Sequence, residues 1–301
     1  MDMTTRPRLH VAFTMDCRPV ANGRARDRPP TWELSSRSIE GYANAVLHAG
    51  FLPTLFLSPE CADQHGPMLE ELADRGAELA LLVDPRTMLS TSYKHPLGKF
   101  KEDEQRQIIE TCTEQVRGAL GVRPRSFRSG GFSANDSTFK AAYDVGFRQG
   151  SISCPGRNIG KDIANWSGAP LDAGYVDPDN RHATGTLPFL NLPITTDETQ
   201  RYSRGIPFEM CLENGNVEAY HKPIIEHTLN RRLGGQGAGF LALCCYTLNT
   251  NFYFDPENVH RCTLEDLLDY LEVLSRDYDV TPVTLVSAHA QFISMQAART
   301  T

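Results

Sequence analysis

The sequence predicts a single parallel α/β domain over residues 1–301, most simply a barrel. Three observations carry this. Strand-like and helix-like runs alternate along all 301 residues, and alternation of that kind places helices between parallel strands. The opening run Arg8-Leu-His-Val-Ala-Phe-Thr-Met-Asp-Cys17 is apolar almost throughout and lies between Pro7 and Pro19, as a strand buried on both faces requires. No internal repeat and no convincing domain boundary interrupts the chain.

The elements follow in order. After the first strand comes a polar loop, Arg18 to Pro30, holding Asn22-Gly23 and Pro29-Pro30. A helix is predicted from about Thr31, with Trp32, Leu34, Ile39, Tyr42, Ala43, Val46 and Leu47 on one stripe and Ala49-Gly50 ending it. Leu52–Leu57 reads as a second strand, Met68–Arg75 as a helix, and Glu78–Val83 as a third strand ending at Asp84-Pro85-Arg86. Lys101–Leu120 is strongly helical and Pro124–Phe127 begins a strand. Ser133–Val145 reads as a helix capped by Ser133 or Asn135, followed by a short strand at Phe147–Ser151. Residues 154–215 change character: Pro, Gly, Asn and Asp dominate, so loops and short strands are expected around an apolar run at Leu187–Ile194. Glu218–Arg232 and Leu264–Asp277 read as helices, Gly237–Leu248 and Val280–Val286 as strands.

Bulk properties narrow the class. The chain is 40% hydrophobic and 22% charged, with no low-complexity tract, so disorder is not expected. A net charge of −7 and a pI near 5.7 argue against nucleic acid or an anionic membrane as the main partner. No apolar run approaches a bilayer span and the first residues lack a signal-peptide pattern, so a cytoplasmic location is the expectation. The eight cysteines fall in no CxxC pair and no zinc-ribbon spacing, and most should be small buried hydrophobes.

The order of motifs resembles the polysaccharide deacetylase, or NodB-homology, family over most of the chain. Phe13-Thr-Met-Asp-Cys17 matches the family's first motif, usually Thr-Phe-Asp-Asp. Glu40 to Phe56 matches the helix–Gly–strand that follows, and Arg75-Gly76-Ala-Glu-Leu-Ala80 the approach to the second motif. Gly121-Val-Arg-Pro124-Arg-Ser-Phe127-Arg128 matches the third, normally Arg-Pro-Pro-Tyr-Gly; Asp144-Val-Gly146-Phe147 and Thr263–Leu285 resemble what comes later. The resemblance implies a distorted (β/α)7 barrel and hydrolysis of acetamido groups with a divalent metal held by Asp-His-His. It places Asp16 as the general base and Arg128 as the residue that orients it. The other catalytic positions depart from the pattern: Cys17 stands for the metal-binding aspartate, Leu82, Asp84 and Arg86 occupy the histidine region, and Tyr246 replaces the late histidine.

Several chemistries fit these residues. Asp16 acts as a base without metal when paired with Arg128, since a neighbouring cation favours the carboxylate, and Tyr246 donates to a developing oxyanion. Metal-free relatives in the same broad family hydrolyse cyclic ureides, which keeps an amide or N-acyl bond of a small polar or sugar-derived molecule as the expected target. Cys17, Asp84, Arg86, His95 and Trp166 are the expected substrate contacts. No cofactor is expected; the alternative is zinc on Cys17, Asp84 and His95. Cys17 is alternatively a nucleophile, activated by Arg128 or Arg86. His289 is expected to be a surface or packing residue, and Trp166 is as well suited to a core as to a sugar platform. The rival reading is an inactive scaffold that binds a carbohydrate or other ligand, or regulates. A small-molecule substrate is the expected partner, and a homo-oligomer is allowed.

Overall fold

The structure, a computed structural model, describes residues 6–21, 27–88, 93–202, 205–236 and 239–300. The Asn22-Gly23 turn and the predicted strand start at Gly237 lie outside these residues.

The elements run β1 (Arg8–Cys17), α1 (Trp32–His48), β2 (Pro53–Leu57), α2 (Pro59–Asp74), β3 (Glu78–Val83), α3 (Glu102–Leu120), β4 (Ser126–Ser129), α4 (Thr138–Val145) and β5 (Gln149–Gly150). The loop-rich stretch supplies β6 (Asn158–Ile159), β7 (Ala164–Asn165), β8 (Gly174–Val176), β9 (Leu187–Asn191), β10 (Thr196–Arg201) and β11 (Pro207–Glu209). Then come α5 (Lys222–Leu233), β12 (Ala242–Leu248), α6 (Val259–Leu274), β13 (Asp279–Pro282) and α7 (Leu285–Thr300).

The main sheet runs β12-β1-β2-β3-β4-β5-β9-β8, with β13 pairing the start of β1. Every pair from β12 to β9 is parallel and β8 closes the edge antiparallel. The sheet curls into a (β/α) barrel with β1 at its centre, flanked by β2, β12 and β13. That position explains the apolar opening run: nine of the ten residues of β1 are buried. The gap between β9 and β12 is spanned by single bonds. Thr195 N donates to Cys244 O at 3.1 Å, and Tyr246 N donates to Met210 O at 2.9 Å.

Some predicted boundaries move. Helix α2 starts at Pro59 rather than Met68, because Ser58 caps it by accepting from Cys61 N at 3.2 Å and Pro59 suits the first turn. Helix α4 starts at Thr138 rather than Ser133, since Asn135 Oδ1 already accepts from Ser137 N, and its amide donates to Gly98 O and Phe100 O. The predicted last strand stops at Pro282 and is followed by α7, which the sequence reading missed. His289 lies on α7 as a packing histidine, Nδ1 at 2.9 Å from Gln149 Oε1. Among the described residues no helix is long and apolar enough to cross a membrane.

Candidate active site

Strand alternation decides which residues meet at the carboxyl edge of the sheet. Thr14 and Asp16 are two apart on β1 and share a face. Both meet Arg128 from β4, whose Nη1 donates to Asp16 Oδ1 at 2.9 Å and to Thr14 Oγ1 at 3.0 Å. The rest of the guanidinium is fixed by Ser151: Nε donates to its carbonyl at 2.9 Å and Nη2 to its hydroxyl at 2.8 Å. The Phe56 ring lies 4.1 Å below it. Asp16 is 1% exposed and Arg128 fully buried, so this pair holds only if its protons and lone pairs are met. Arg128 satisfies that condition. Asp16 does not, because its Oδ2 has no hydrogen-bond partner.

The group facing Oδ2 is Arg18, two residues further along the same face, with Nη2 at 3.5 Å. Its Nη1 donates to Asp27 Oδ2 at 2.7 Å, while its Nε is buried without a partner. Burial pulls the Arg18 pKa down, but Asp16, Asp84 and Asp27 outweigh this and leave it raised.

Beside this pair, Arg86 forks onto Asp84: Nε donates to Oδ1 at 2.9 Å and Nη2 to Oδ2 at 2.9 Å. Its Nη1 donates to Asp162 Oδ1 at 2.6 Å. Asp84 lies so close to β4's end that a Cβ on Gly130 would stand 2.4 Å from the aspartate Cβ. The following residues, Gly131 (φ 65°) and Phe132 (φ 58°), turn the chain through the left-handed region. For phenylalanine that conformation is strained. It directs the Phe132 ring inward, edge-on to Tyr246 at 5.1 Å and beneath Arg157 at 4.6 Å.

Tyr246 is therefore near the site but committed. Its hydroxyl donates to Glu209 Oε1 at 2.8 Å and accepts from Arg157 Nη2 at 2.6 Å. Arg157 Nε in turn donates to Glu209 Oε2 at 3.1 Å. Burial raises the Tyr246 pKa well above the usual phenol. With its one proton on Glu209, Tyr246 offers no donor to a substrate oxyanion in this arrangement.

Three expected contacts lie elsewhere. Cys17 follows Asp16 and so points to the opposite face, fully buried toward Cys61 of α2. Burial, Cys61 and Asp16 push its thiol well above the ordinary range, opposite to what a nucleophile needs. Trp166 is fully buried: Nε1 donates to Phe132 O at 2.8 Å and the ring packs on Phe139, so no face is open to a sugar. His95 is exposed on its loop. Cys17, Asp84 and His95 thus do not form a metal set, and among the described residues no three His, Cys, Asp or Glu side chains gather for one. Asp84 is moreover taken up by Arg86 on both oxygens. The donors present do not fit an ion at this place.

Arg18, Arg157, Asp162, Glu209 and Phe132 were not singled out from sequence. Arg18 carried a signal, since the strand's period of two puts it on the face of Asp16. The others come from an aperiodic loop stretch or a strained turn and carried none.

No protein-family model and no curated protein sequence matches the chain. Solved structures do. A protein of Mycobacterium smegmatis assigned as a polysaccharide deacetylase shares 17% identity at a TM-score of 0.59, over 98% of this chain and 94% of that one. The Puue allantoinase shares 13% identity at a TM-score of 0.56, over 96% of this chain and 91% of that one. A Pseudomonas aeruginosa protein, also assigned as a polysaccharide deacetylase, shares 13% at 0.55, covering 94% and 90%. The curled α/β barrel of this chain is the fold of the polysaccharide deacetylases.

Proposed function

We propose that this protein hydrolyses an amide or N-acyl C–N bond of a small polar or sugar-derived molecule, with Asp16 as general base and Arg128 as its positioning residue. The observation that carries the reading is the Asp16 carboxylate at the end of β1. One oxygen is fixed by Arg128, and the other is buried without a hydrogen-bond partner, facing a second cation. A base must be held rigidly and keep a free lone pair for the proton it takes. Supporting it are the shared fold and the nature of two structural neighbours, one assigned as a polysaccharide deacetylase and one an allantoinase. The first name denotes removal of an acetyl group and the second action on allantoin.

In this reading the chemistry is independent of the Asp-His-His ion, because Cys17 faces away and Asp84 is neutralised by Arg86. The test is turnover of acetamido sugars, N-acetyl amino acids and allantoin by protein dialysed against chelator and by protein given zinc or cobalt. Turnover in chelator that disappears in Asp16→Asn supports the proposal. Turnover that appears only with added metal removes its metal-free part, and activity unchanged in Asp16→Asn removes the mechanism.

One observation favours the second reading, an inactive scaffold that binds a ligand. Asp16 and Arg128 are 1% and 0% exposed, and Phe132 packs against the Arg128 guanidinium. Saturable binding of one of these compounds, with no turnover under either condition, would establish it.

A further inference from the structure

Two buried orphan atoms belong to neighbouring side chains of the site, and they are chemically complementary. Asp16 Oδ2 is an acceptor without a donor; Arg18 Nε is a donor without an acceptor. They belong to side chains whose Nη2–Oδ2 separation is 3.5 Å, so the two orphans lie within that distance plus one guanidinium edge. Leaving buried polar atoms unmet costs about 1–3 kcal/mol each, and in native proteins such atoms call for a partner or a catalytic role. Neither side chain can satisfy both. Asp16 is pinned on its other oxygen by Arg128, and Arg18 on Nη1 by Asp27.

A ligand that meets both atoms must present an acceptor to Arg18 and a donor to Asp16. An amide presents its carbonyl oxygen and, on its nitrogen or on an attacking water, a proton. A carboxylate or phosphate presents only acceptors and would meet Asp16 with like charge. We propose that Arg18 is a catalytic residue, binding the carbonyl oxygen of the scissile amide through Nε–H. The proposal rests on the hydrolase reading above and supplies the electrophile it lacks, since Tyr246 gives its proton to Glu209.

Water attacks the carbonyl carbon and its proton passes to Asp16 Oδ2. The carbonyl π pair moves onto the oxygen, where the Arg18 guanidinium holds the developing charge. As the C–N bond breaks, Asp16 returns the proton to the leaving nitrogen, giving a carboxylic acid and an amine. Arg18 thus supplies a fixed positive charge beside the reacting carbonyl, and entry of a substrate needs the Arg18–Asp27 contact to yield. The Asp27 side chain is 60% exposed, so it is the partner with room to move into solvent.

The test uses the full chain carrying 15N-arginine. The Nε–H signal of Arg18, identified by its loss in Arg18→Lys, is followed as acetamide is added. The expected result is a saturable shift that is abolished in Asp16→Asn, whereas acetate gives none. An Arg18 signal unmoved by acetamide overturns the assignment, and so does an equal response to acetate. Turnover gives the second readout. Arg18→Ala should lower kcat on any cleaved amide by about 100- to 1000-fold, with KM changed less than about threefold, as for loss of an oxyanion donor. Guanidinium chloride at millimolar levels should restore part of it, which a purely structural role would not allow. Wild-type kcat in Arg18→Ala overturns the proposal. Acetamide binding at Arg18 without turnover of any amide leaves the receptor standing and removes the hydrolase reading instead.

Discussion

Cys17 and Asp16 are neighbours in sequence with opposite environments, and the difference is one step of strand alternation. Asp16 faces two arginine side chains at the carboxyl edge, Arg128 and Arg18, while Cys17 faces the helix layer and a second thiol. Seven of the eight cysteines are buried and only Cys262 is exposed. Burial raises the thiols of Cys61 and Cys112 to about 12, and Cys17, Cys154, Cys211, Cys244 and Cys245 are also raised by burial. Since the thiolate is the reactive species, native protein at pH 8 should react with iodoacetamide at Cys262 alone, and at all eight sites in denaturant. Peptide mass mapping reads this directly, and rapid labelling of native Cys17 would restore it as a nucleophile. Arg128 predicts a different effect. Its truncation in Arg128→Ala leaves Asp16, Thr14 and Ser151 without their buried partner, a loss of about 3–5 kcal/mol. Urea unfolding measures it, and a cost below about 1 kcal/mol would mean that the ion pair is not built as described.

At the scale of elements, the site depends on the turn after β4. Gly130→Ala would place a Cβ 2.4 Å from Asp84 Cβ and 2.7 Å from its Oδ2, forcing the aspartate off its fork with Arg86. Gly131→Ala meets no atom closer than 3.5 Å and suffers only from its positive φ, at about 1–2 kcal/mol. The two substitutions should therefore separate in a double-mutant cycle with Asp84→Gly. The first is relieved by removing the aspartate, with an interaction of at least about 1 kcal/mol, and the second is additive within about 0.5 kcal/mol. Equal coupling for both would refute the packing argument. The same turn shows what sequence could convey. Regular elements were legible because burial imposes a period: β1, β3, α1 and α3 fall within a residue or two of where apolar spacing puts them. Asp16 and Arg128 were found because they end strands that the motif order had already placed. Phe132, Arg157 and Glu209 were not. Their positions follow from a strained turn and from a loop stretch whose only organising force is the charge it buries, and neither leaves a periodic trace. Helix α2 was half missed for the converse reason: Gly66 and Pro67 look like a break, yet the helix runs through them.

Across the whole molecule, histidine burial sets the response to acid. His10, His65, His221 and His289 are each less than 9% exposed, and burial lowers the pKa of all four below the ordinary 6.5. In the unfolded chain they titrate near 6.5. Below that pH the unfolded state takes up protons that the folded state refuses, so stability is complete above about pH 7 and falls as pH drops through 6.5 toward the lowered folded values. Each group contributes at most about 1.4 kcal/mol per pH unit in that window. Glu78 works against them: burial raises its pKa above 4.5, so it favours folding as it protonates, closer to its own range. The histidines dominate near neutrality because their window opens first. The urea midpoint should therefore be lower at pH 5.5 than at pH 7.5, at constant m-value. Calorimetry at pH 5.5 in buffers of different ionisation heat should show proton uptake on unfolding, to which these four residues contribute. Unfolding at pH 5.5 with no proton uptake would show that these four rings are already charged in the folded barrel, and the packing described for them would have to be abandoned.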